Sequence, residues 1–273
     1  MTKATSPTEQ VDFERYEAKY IIHPSLVPQI REFIQPFCIP DPNTSGDIPE
    51  YTLTTLQLDS PDLALYRASR EEAINRFKLR VRAYGTEPKG PIFMEVKRRI
   101  KGVVVKSRCM IPREFFGPQL ASPRRTQVPP FRTRRERSHF IEFTRLMDML
   151  GARPVMLIRY TRESYFGSQD SYARLTFDRK LCYSPTRNWD VQPRNVKWWA
   201  MDSSEAMDRP FSGLVLEMKT YRDTPQWMVE LTQRFSLVRT GFCKYALAMR
   251  LESEFTGLPS PSLDSFMYSA VGG

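Results

Sequence analysis

Residues 76–85, RFKLRVRAYG, alternate between apolar and basic side chains and predict a β-strand. Because successive side chains of a strand point to opposite faces, Leu79 and Val81 share one face. Lys78, Arg80 and Arg82 share the other face, where three cations then stand about 7 Å apart. A single strand can carry such a face in water, so the pattern gains meaning only if other strands repeat it.

Other segments do show a period of two. With 76–84, the sequence predicts eight strands, the others lying near 13–22, 51–59, 92–99, 102–110, 154–166, 172–181 and 213–221. Short connections indicate that most neighbouring strands run antiparallel. Ser25 is expected to cap a helix whose apolar stripe extends to Phe37. Further helical stripes cover 140–150 and follow Pro225 and Lys244.

When each strand is sorted by parity, charged side chains fall on one face and apolar ones on the other. An ordinary antiparallel sheet with one solvated face explains any single strand equally well. Over the whole set, however, twelve cations outnumber four carboxylates, which favours a site for an anion. The carboxylates are Glu17, Glu95, Asp178 and Glu217, and the cations are Arg15, Lys19, Lys78, Arg80, Arg82, Lys97, Lys106, Arg108, Arg159, Arg174, Lys180 and Lys219.

Eight strands are enough to close a barrel around one ligand. The sequence therefore predicts an α+β fold, in which a closed eight-stranded antiparallel β-barrel has a charged lumen and helices packed on its outside. Like charges in a poorly solvated lumen repel each other, and a bound phosphate chain would relieve that repulsion. Arg and Lys bind phosphate oxygens through charged hydrogen bonds of about 1.5–3 kcal/mol each.

The four carboxylates have two interpretations. Carboxylate oxygens are ligands for Mg²⁺ or Mn²⁺, which typically bind one or two of them together with substrate phosphates. On this interpretation Glu217 is the first expected metal ligand, and Glu17, Glu95 and Asp178 are further ones. Alternatively, each carboxylate pairs with a neighbouring cation.

Composition narrows the class of protein. The 273 residues carry a net charge of +10, which predicts attraction to nucleic acid, an acidic membrane or phosphorylated small molecules. Four scattered cysteines and two histidines argue against structural zinc. No apolar run is long enough to span a membrane, and the N-terminal MTKATSPTEQ lacks a signal-peptide pattern. We therefore expect a cytoplasmic protein without direct membrane insertion.

Both ends of the chain and two connections lack periodicity. We expect disorder in residues 1–11 and 256–273, with one folded domain over 12–255. The connection over 119–138 is rich in arginine, which is typical either of a nucleic-acid-binding arm or of a solvated loop beside an anion site. The connection over 184–212 contains three tryptophans among polar residues. The sequence assigns neither connection a role.

Nine short motifs resemble, in order, the VTC domain. This domain is the polyphosphate polymerase module of the vacuolar transporter chaperone family, within the triphosphate tunnel (CYTH-like) superfamily. The resemblance covers roughly residues 11–255. Its motifs are R-Y-E-x-K-Y from Arg15, TLQLDSPDLALY, KLRVRAYG, FMEVKRRI, VKSR, IRYTRESY, RLTFD, VLEMK and FCKY.

The resemblance implies a tunnel of eight antiparallel strands, a bound divalent cation, and transfer of the ATP γ-phosphate onto a growing polyphosphate chain. It assigns Glu217 to the metal. The catalytic cations that it implies are Lys19, Arg80, Arg82, Lys97, Lys106, Arg159 and Arg174. Further substrate contacts are expected from Arg15, Lys78, Arg108, Arg162, Lys219 and Lys244, the last near the tunnel mouth.

Two departures from the family pattern are visible. Gln57 stands where the family usually has an aromatic residue. The regulatory phosphate-sensing domain and membrane helices of the eukaryotic members have no counterpart in this sequence, so we expect regulation or membrane association to come from a separate partner protein.

Three functions remain open: a polyphosphate polymerase, a hydrolase of inorganic or nucleoside triphosphate, and a non-catalytic module that binds polyphosphate or nucleotide. Hydrolases of this superfamily tend to carry E-x-E-x-K in the first strand. The matching positions here are Arg15, Glu17 and Lys19, which favours the polymerase. Cations that face the inside of a barrel argue against nucleic acid as the main partner.

Overall fold

The computed structural model describes residues 16–44, 46, 48–122, 127–169, 172–221 and 223–257. The strands in this part of the chain are β1 (Tyr16–Ile22), β2 (Cys38–Pro40), β3 (Glu50–Asp59), β4 (Asn75–Tyr84), β5 (Ile92–Ile100), β6 (Val103–Ile111), β7 (Arg153–Gly167), β8 (Arg174–Pro185), β9 (Trp199–Ala200) and β10 (Leu214–Thr220). The helices are α1 (Leu26–Ile34), α2 (Ala64–Arg70), α3 (Arg134–Met149), α4 (Ser204–Met207), α5 (Gln226–Arg234) and α6 (Lys244–Thr256).

The strands form one antiparallel sheet. Its main path is β1-β10-β8-β7-β3-β4-β5-β6, while the short strands β2 and β9 pair with β7 and β8. Each of the eight segments with a period of two forms one strand of the main path. The predicted antiparallel sheet with accompanying helices is therefore confirmed.

The predicted closure into an eight-stranded barrel is not confirmed. The described sheet has ten strands, and within it β1 pairs with β10 alone and β6 with β5 alone, so these two edges share no backbone ladder. The edges nevertheless approach each other. Nζ of Lys97 on β5 lies 2.7 Å from a carboxylate oxygen of Glu17 on β1. Side chains rather than backbone hydrogen bonds thus span the gap in a strongly curved sheet.

The apolar face of the sheet packs against helices. Leu79 and Val81 of β4 are fully buried in a cluster with Phe143 and Met147 of α3. A second cluster joins β1, β8 and β10 to α1 and α5. Burial of these two clusters excludes one face from water, which fixes the parity of each strand and leaves the charged side chains on the opposite face. A third cluster lies on the charged side of the sheet, where Ile158 and Tyr160 of β7 pack against Tyr245 of α6.

Helix starts differ from the sequence-based expectation. Ser25 does not cap α1, because its backbone is already in the helical region and its Oγ lies 2.7 Å from Nδ1 of His23. The start of α3 lies at Arg134, before the predicted stripe, because Oγ1 of Thr133 accepts a hydrogen bond from the backbone N–H of Glu136. The short helices α2 and α4 were not predicted.

The ends of the chain fall largely outside the described residues, which exclude 1–15 and 258–273. Residue 256, where the disordered tail was expected to begin, is the last residue of α6. Among the described helices, none has both the length and the apolar character that crossing a bilayer requires.

Candidate functional site

The charged face of the sheet lines a cavity of about 650 Å³. Every strand of the main path and the start of α6 contribute to it, so residues far apart in sequence meet there. Eleven of the cations that were expected to bind substrate lie in its wall: Lys19, Lys78, Arg80, Arg82, Lys97, Lys106, Arg108, Arg162, Arg174, Lys219 and Lys244. Their convergence makes the cavity strongly basic.

The predicted place of Arg159 on this face is wrong. Tyr160 and Arg162 of the same strand line the cavity, and the alternation of side chains directs Arg159 away from it. The guanidinium carbon of Arg159 lies 4.1 Å from the ring centroid of Trp198, and Nε donates to Oγ1 of Thr54 at 3.2 Å. Arg159 therefore packs on the outer side of β7.

Lys180, another predicted member of the charged face, does not line the cavity. Lys180 is exposed and has a positive φ of 53°, where the pairing of β7 with β8 shifts register. This irregularity breaks the alternation that placed Lys180 with Asp178. Arg15 lies outside the described residues.

Glu95 of β5 is the buried counter-ion of four cations on the neighbouring strands β4 and β6. Nε of Arg80 lies 2.7 Å from Oε2 of Glu95, and a guanidinium nitrogen of Arg82 lies 3.7 Å from the same oxygen. Nζ of Lys106 and Nε of Arg108 each lie 3.6 Å from Oε1. Burial alone would raise the pKa of Glu95, but these four cations hold it well below its usual range. Four cations thus share one negative charge.

Asp178 holds a second group of cations below the cavity wall. Arg162 donates to both of its carboxylate oxygens, at 2.6 and 2.8 Å, and Nζ of Lys244 donates to Oδ2 at 2.6 Å. Burial opposes ionisation, but Arg162 and Lys244 lower the pKa of Asp178 to about 2. Arg162 also lies 3.3 Å from Oε2 of Glu217. Asp178 therefore orients two cations that line the cavity.

Glu17 and Glu217 lie on neighbouring strands and face the cavity. In the β1–β10 ladder Glu17 is opposite Lys219, and Glu217 is opposite Lys19. Lys97 overcomes the effect of burial and lowers the pKa of Glu17 to about 2, while the negative charge of Glu217 acts in the opposite direction. The pKa of Glu217 also lies well below its usual range, because Lys219 and Lys19 outweigh burial. Both carboxylates are therefore ionised at neutral pH.

The carboxylates of the cavity differ in how well they could hold a divalent cation. Within the described residues, no group of three or more His, Cys, Asp or Glu side chains is arranged to hold an ion. The pair Glu17 and Glu217 fits Mg²⁺ or Mn²⁺, since such an ion takes one or two carboxylates and fills its remaining positions with phosphate oxygens and water. Glu95 fits less well, because its single charge already faces four cations within 3.7 Å. Glu17 and Glu217 together supply two negative charges against three cations within 3.4 Å, Lys97, Arg162 and Lys219.

Three lysines of the cavity, Lys78, Lys97 and Lys106, have lowered pKa values, and the shift is large for Lys97 and Lys106. Partial burial, together with repulsion from Arg82 and Arg108, lowers the pKa of Lys106 to about 7, although Glu95 opposes the shift. Burial likewise lowers the pKa of Lys97 to about 8 against the attraction of Glu17. Both amines are therefore partly neutral near physiological pH, and a nearby anion would favour their charged form.

The cavity also contains residues that the sequence analysis did not select. Thr55 and Gln57 follow from the parity of β3, in which they alternate with buried leucines, so this signal was available. Cys243 and Tyr245 flank Lys244 at the start of α6. No periodicity marks them, because a helix start has no alternating pattern.

The antiparallel sheet and its cavity, lined by eleven of the expected cations, define a protein with a strongly basic site. A profile described as the VTC domain matches residues 14–252. The chain belongs to the VTC domain family.

Comparison with solved structures gives distant matches. The chain is similar to a Hippeastrum protein described as an adenylyl cyclase candidate with a dominant triphosphatase activity, at 16% identity and a TM-score of 0.46, over 86% of this chain and 94% of that one. A Pyrococcus horikoshii protein is 10% identical, with a TM-score of 0.42 over 86% and 98% of the two chains. A Vibrio parahaemolyticus protein described as an adenylate cyclase candidate is 11% identical, with a TM-score of 0.43 over 86% and 97%. Among curated proteins, none matches the sequence.

Proposed function

We propose that this protein is a polyphosphate polymerase, which transfers the γ-phosphate of ATP onto a growing chain of inorganic polyphosphate inside the cavity. Its membership of the VTC domain family supports this function. The observation that carries the proposal is the convergence of eleven cations on one cavity of about 650 Å³. A phosphate chain complements such a wall along its length, since each phosphate adds both charge and hydrogen-bond acceptors.

Four of the cations contact the triphosphate from two strands in the proposed reaction. Arg80 and Arg82 hold the triphosphate from β4, while Lys106 and Arg108 contact it from β6. Glu95 balances one of these four charges, so the wall keeps an excess of positive charge for the ligand. We also propose that bound phosphate, together with side chains at the β1 and β6 edges, completes the wall of a tunnel.

Glu17 and Glu217 would hold the divalent cation, Mg²⁺ or Mn²⁺. When bound, that ion neutralises charge on the phosphate oxygens. Asp178 keeps Arg162 and Lys244 in place at the cavity wall, beside the same phosphate oxygens. Phosphoryl transfer needs little covalent chemistry from the protein, so positioning of the two phosphate groups and charge neutralisation are sufficient.

The contacts of the carboxylates favour transfer to phosphate over transfer to water. A hydrolase needs a group that orients the attacking water. Both oxygens of Glu17 accept hydrogen bonds from Nζ of Lys97, at 3.0 and 2.7 Å. Oε2 of Glu217 lies 3.3 Å from Arg162. In the proposed site these oxygens are shared by Lys97, Arg162 and the metal ion, so they are poorly placed to orient an attacking water, which supports a polymerase.

The test is incubation of the purified protein with ATP and either Mn²⁺ or Mg²⁺, followed by sizing of the products. We expect ADP and long polyphosphate. Release of free phosphate or short anions only would indicate a triphosphatase, and binding of ATP or polyphosphate without turnover would indicate a binding module. Either result contradicts the proposal.

A matched pair of variants tests whether the cavity is the site. Arg82→Ala removes a cavity cation and is expected to lower kcat/KM by about 10- to 150-fold, the equivalent of one charged hydrogen bond of about 1.5–3 kcal/mol. Arg159→Ala removes a cation of the same type from the outer side of β7 and is expected to leave kcat/KM within about twofold. Equal losses in both variants would contradict a site inside the cavity.

A further inference from the structure

A buried carboxylate that the proposed reaction does not use lies at the end of β3. Oδ1 of Asp59 accepts hydrogen bonds from the backbone N–H groups of Ser60 and Leu65, at 2.8 and 2.9 Å. Oδ2 accepts from the backbone N–H of Tyr66 at 2.8 Å and from Oη of Tyr245 at 2.7 Å. Burial raises the pKa of Asp59, so its charged form depends on these donors.

Ser60 precedes α2, and Leu65 and Tyr66 lie in its first turn, but the fourth donor, Tyr245, belongs to the first turn of α6. The two residues before Tyr245 have side chains at the cavity. Nζ of Lys78 donates to Sγ of Cys243 at 2.7 Å, and Nζ of Lys244 donates to Oδ2 of Asp178 at 2.6 Å. The Tyr245 hydroxyl thus connects the buried carboxylate to the part of α6 that contributes to the cavity.

We propose that Asp59 is a positioning residue, which acts through Tyr245 to fix the first turn of α6 so that Cys243 and Lys244 reach their partners in the cavity. The part that Lys244 plays toward phosphate rests on the proposed function. The positioning itself does not depend on which substrate the cavity binds.

Other contacts keep the rest of α6 in place when this hydrogen bond is removed. The ring of Tyr245 packs edge-on against Tyr66, with 6.0 Å between ring centroids. Farther along α6, Arg250 donates to the backbone carbonyl of Ala206 at 2.7 Å. Loss of the Tyr245 hydroxyl alone should therefore loosen the first turn without detaching the helix.

The thiol of Cys243 reports on the position of the first turn of α6. Burial would raise the pKa of Cys243, but the neighbouring Lys78 lowers it to about 7. Burial raises the pKa of Cys38 and of Cys109 to about 12, and that of Cys182 to about 11. At neutral pH the reactive thiolate of these four is therefore Cys243, and its reactivity depends on its distance from Lys78.

The experiment measures alkylation of Cys243 by iodoacetamide in the full chain without phosphate ligand, over a pH series, with the modified peptide identified by mass spectrometry. The unmodified sequence should react with a midpoint near the thiol pKa of about 7. In Tyr245→Phe we expect the midpoint to rise by about 1–1.5 pH units, toward the ordinary thiol value of about 8.5. Asp59→Asn should shift it in the same direction.

Tyr165→Phe is the matched control. Oη of Tyr165 also donates to a buried carboxylate, that of Glu163, at 2.7 Å, but it does so on β7, away from α6. This variant should lose thermal stability to a similar extent and keep the midpoint of the unmodified sequence. An unchanged midpoint in Tyr245→Phe and Asp59→Asn, or an equal shift in Tyr165→Phe, overturns the proposal. Because no phosphate is present, a protein that proves not to be a polymerase would leave this result unaffected.

Discussion

Replacing Glu95 by Gln tests whether the cavity is prepared for an anion. The substitution keeps the size of the side chain and removes the charge that Arg80, Arg82, Lys106 and Arg108 share. Four cations would then face one another without a counter-ion. We expect the protein to lose stability and to regain it when an anion enters the cavity.

The size of the loss follows from the distances. At an effective dielectric constant of about 20, a pair of unit charges separated by 3.6 Å, as for Lys106 and Glu95, interacts by about 4–5 kcal/mol. The gain from no longer burying a charged carboxylate offsets much of the sum over four pairs, so the net loss should be about 3–5 kcal/mol. For a domain of this size, that corresponds to a fall in Tm of about 6–20 °C.

Thermal unfolding followed by circular dichroism, with and without tripolyphosphate, measures both effects. Tripolyphosphate should raise the Tm of Glu95→Gln by about twice as much as that of the unmodified sequence, because it replaces the missing counter-ion. Glu163→Gln is the control, since Glu163 is equally buried and binds Arg31 and Arg179 away from the cavity. It should lose similar stability without extra rescue. Equal ligand shifts in all three proteins, or a loss below about 2 °C in Glu95→Gln, would refute the reasoning.

Three further outcomes are expected. Affinity for tripolyphosphate should fall as the pH rises from about 7 to about 9, because Lys106 and Lys97, with pKa values of about 7 and about 8, lose the protons that the anion requires. Calorimetry in buffers of different ionisation enthalpy should detect proton uptake on binding. Binding heats that do not depend on the buffer would contradict this prediction. Thr133→Ala should lower the free energy of unfolding by about 1 kcal/mol in urea through loss of the α3 cap, and an unchanged midpoint would count against that cap. Arg162→Met should cost about 3–5 kcal/mol by leaving Asp178 under-compensated, and the added change Asp178→Asn should restore part of it in the same urea assay.

The strands and their two faces could be predicted from local sequence, because burial of one face imposes a period of two. Leu79 is fully buried against α3, while Lys78, Arg80 and Arg82 all line the cavity, as the alternation in β4 requires. Register is strongly specified wherever one face is buried, since a shift by one residue would expose the apolar set. The same reasoning explains why nine of the expected cations meet at one site, whereas Arg162 and Lys244 were not predicted from the alternation.

Alternation fails where a strand is irregular or an element is short. Arg159 lies on the outer side of β7 and Lys180 is exposed, next to the register shift between β7 and β8. Closure of the sheet depends on the distance between β1 and β6, which no local pattern encodes. The short strands β2 and β9 hold too few residues to show a period. The folded domain over 12–255, the disordered ends, the cytoplasmic location and the separate partner protein stay predictions.

The alternation of side chains along a strand does not give the depth of each charged group below the cavity surface. That depth decides how the cavity can be stable without a ligand and still bind one. Oε2 of Glu95 holds Arg80 at 2.7 Å, whereas Oε1, which has no hydrogen-bond partner among the described residues, lies 3.6 Å from both Lys106 and Arg108. A phosphate oxygen that approaches to hydrogen-bonding distance would interact with Lys106 and Arg108 more strongly than Glu95 does. Nε of Arg80 should therefore stay with Glu95 while the rest of its guanidinium meets the ligand, and Lys106, 37% exposed, turns fully toward the ligand. In the proposed reaction, affinity then reflects the difference between these two sets of contacts, which lets successive phosphates bind and move on.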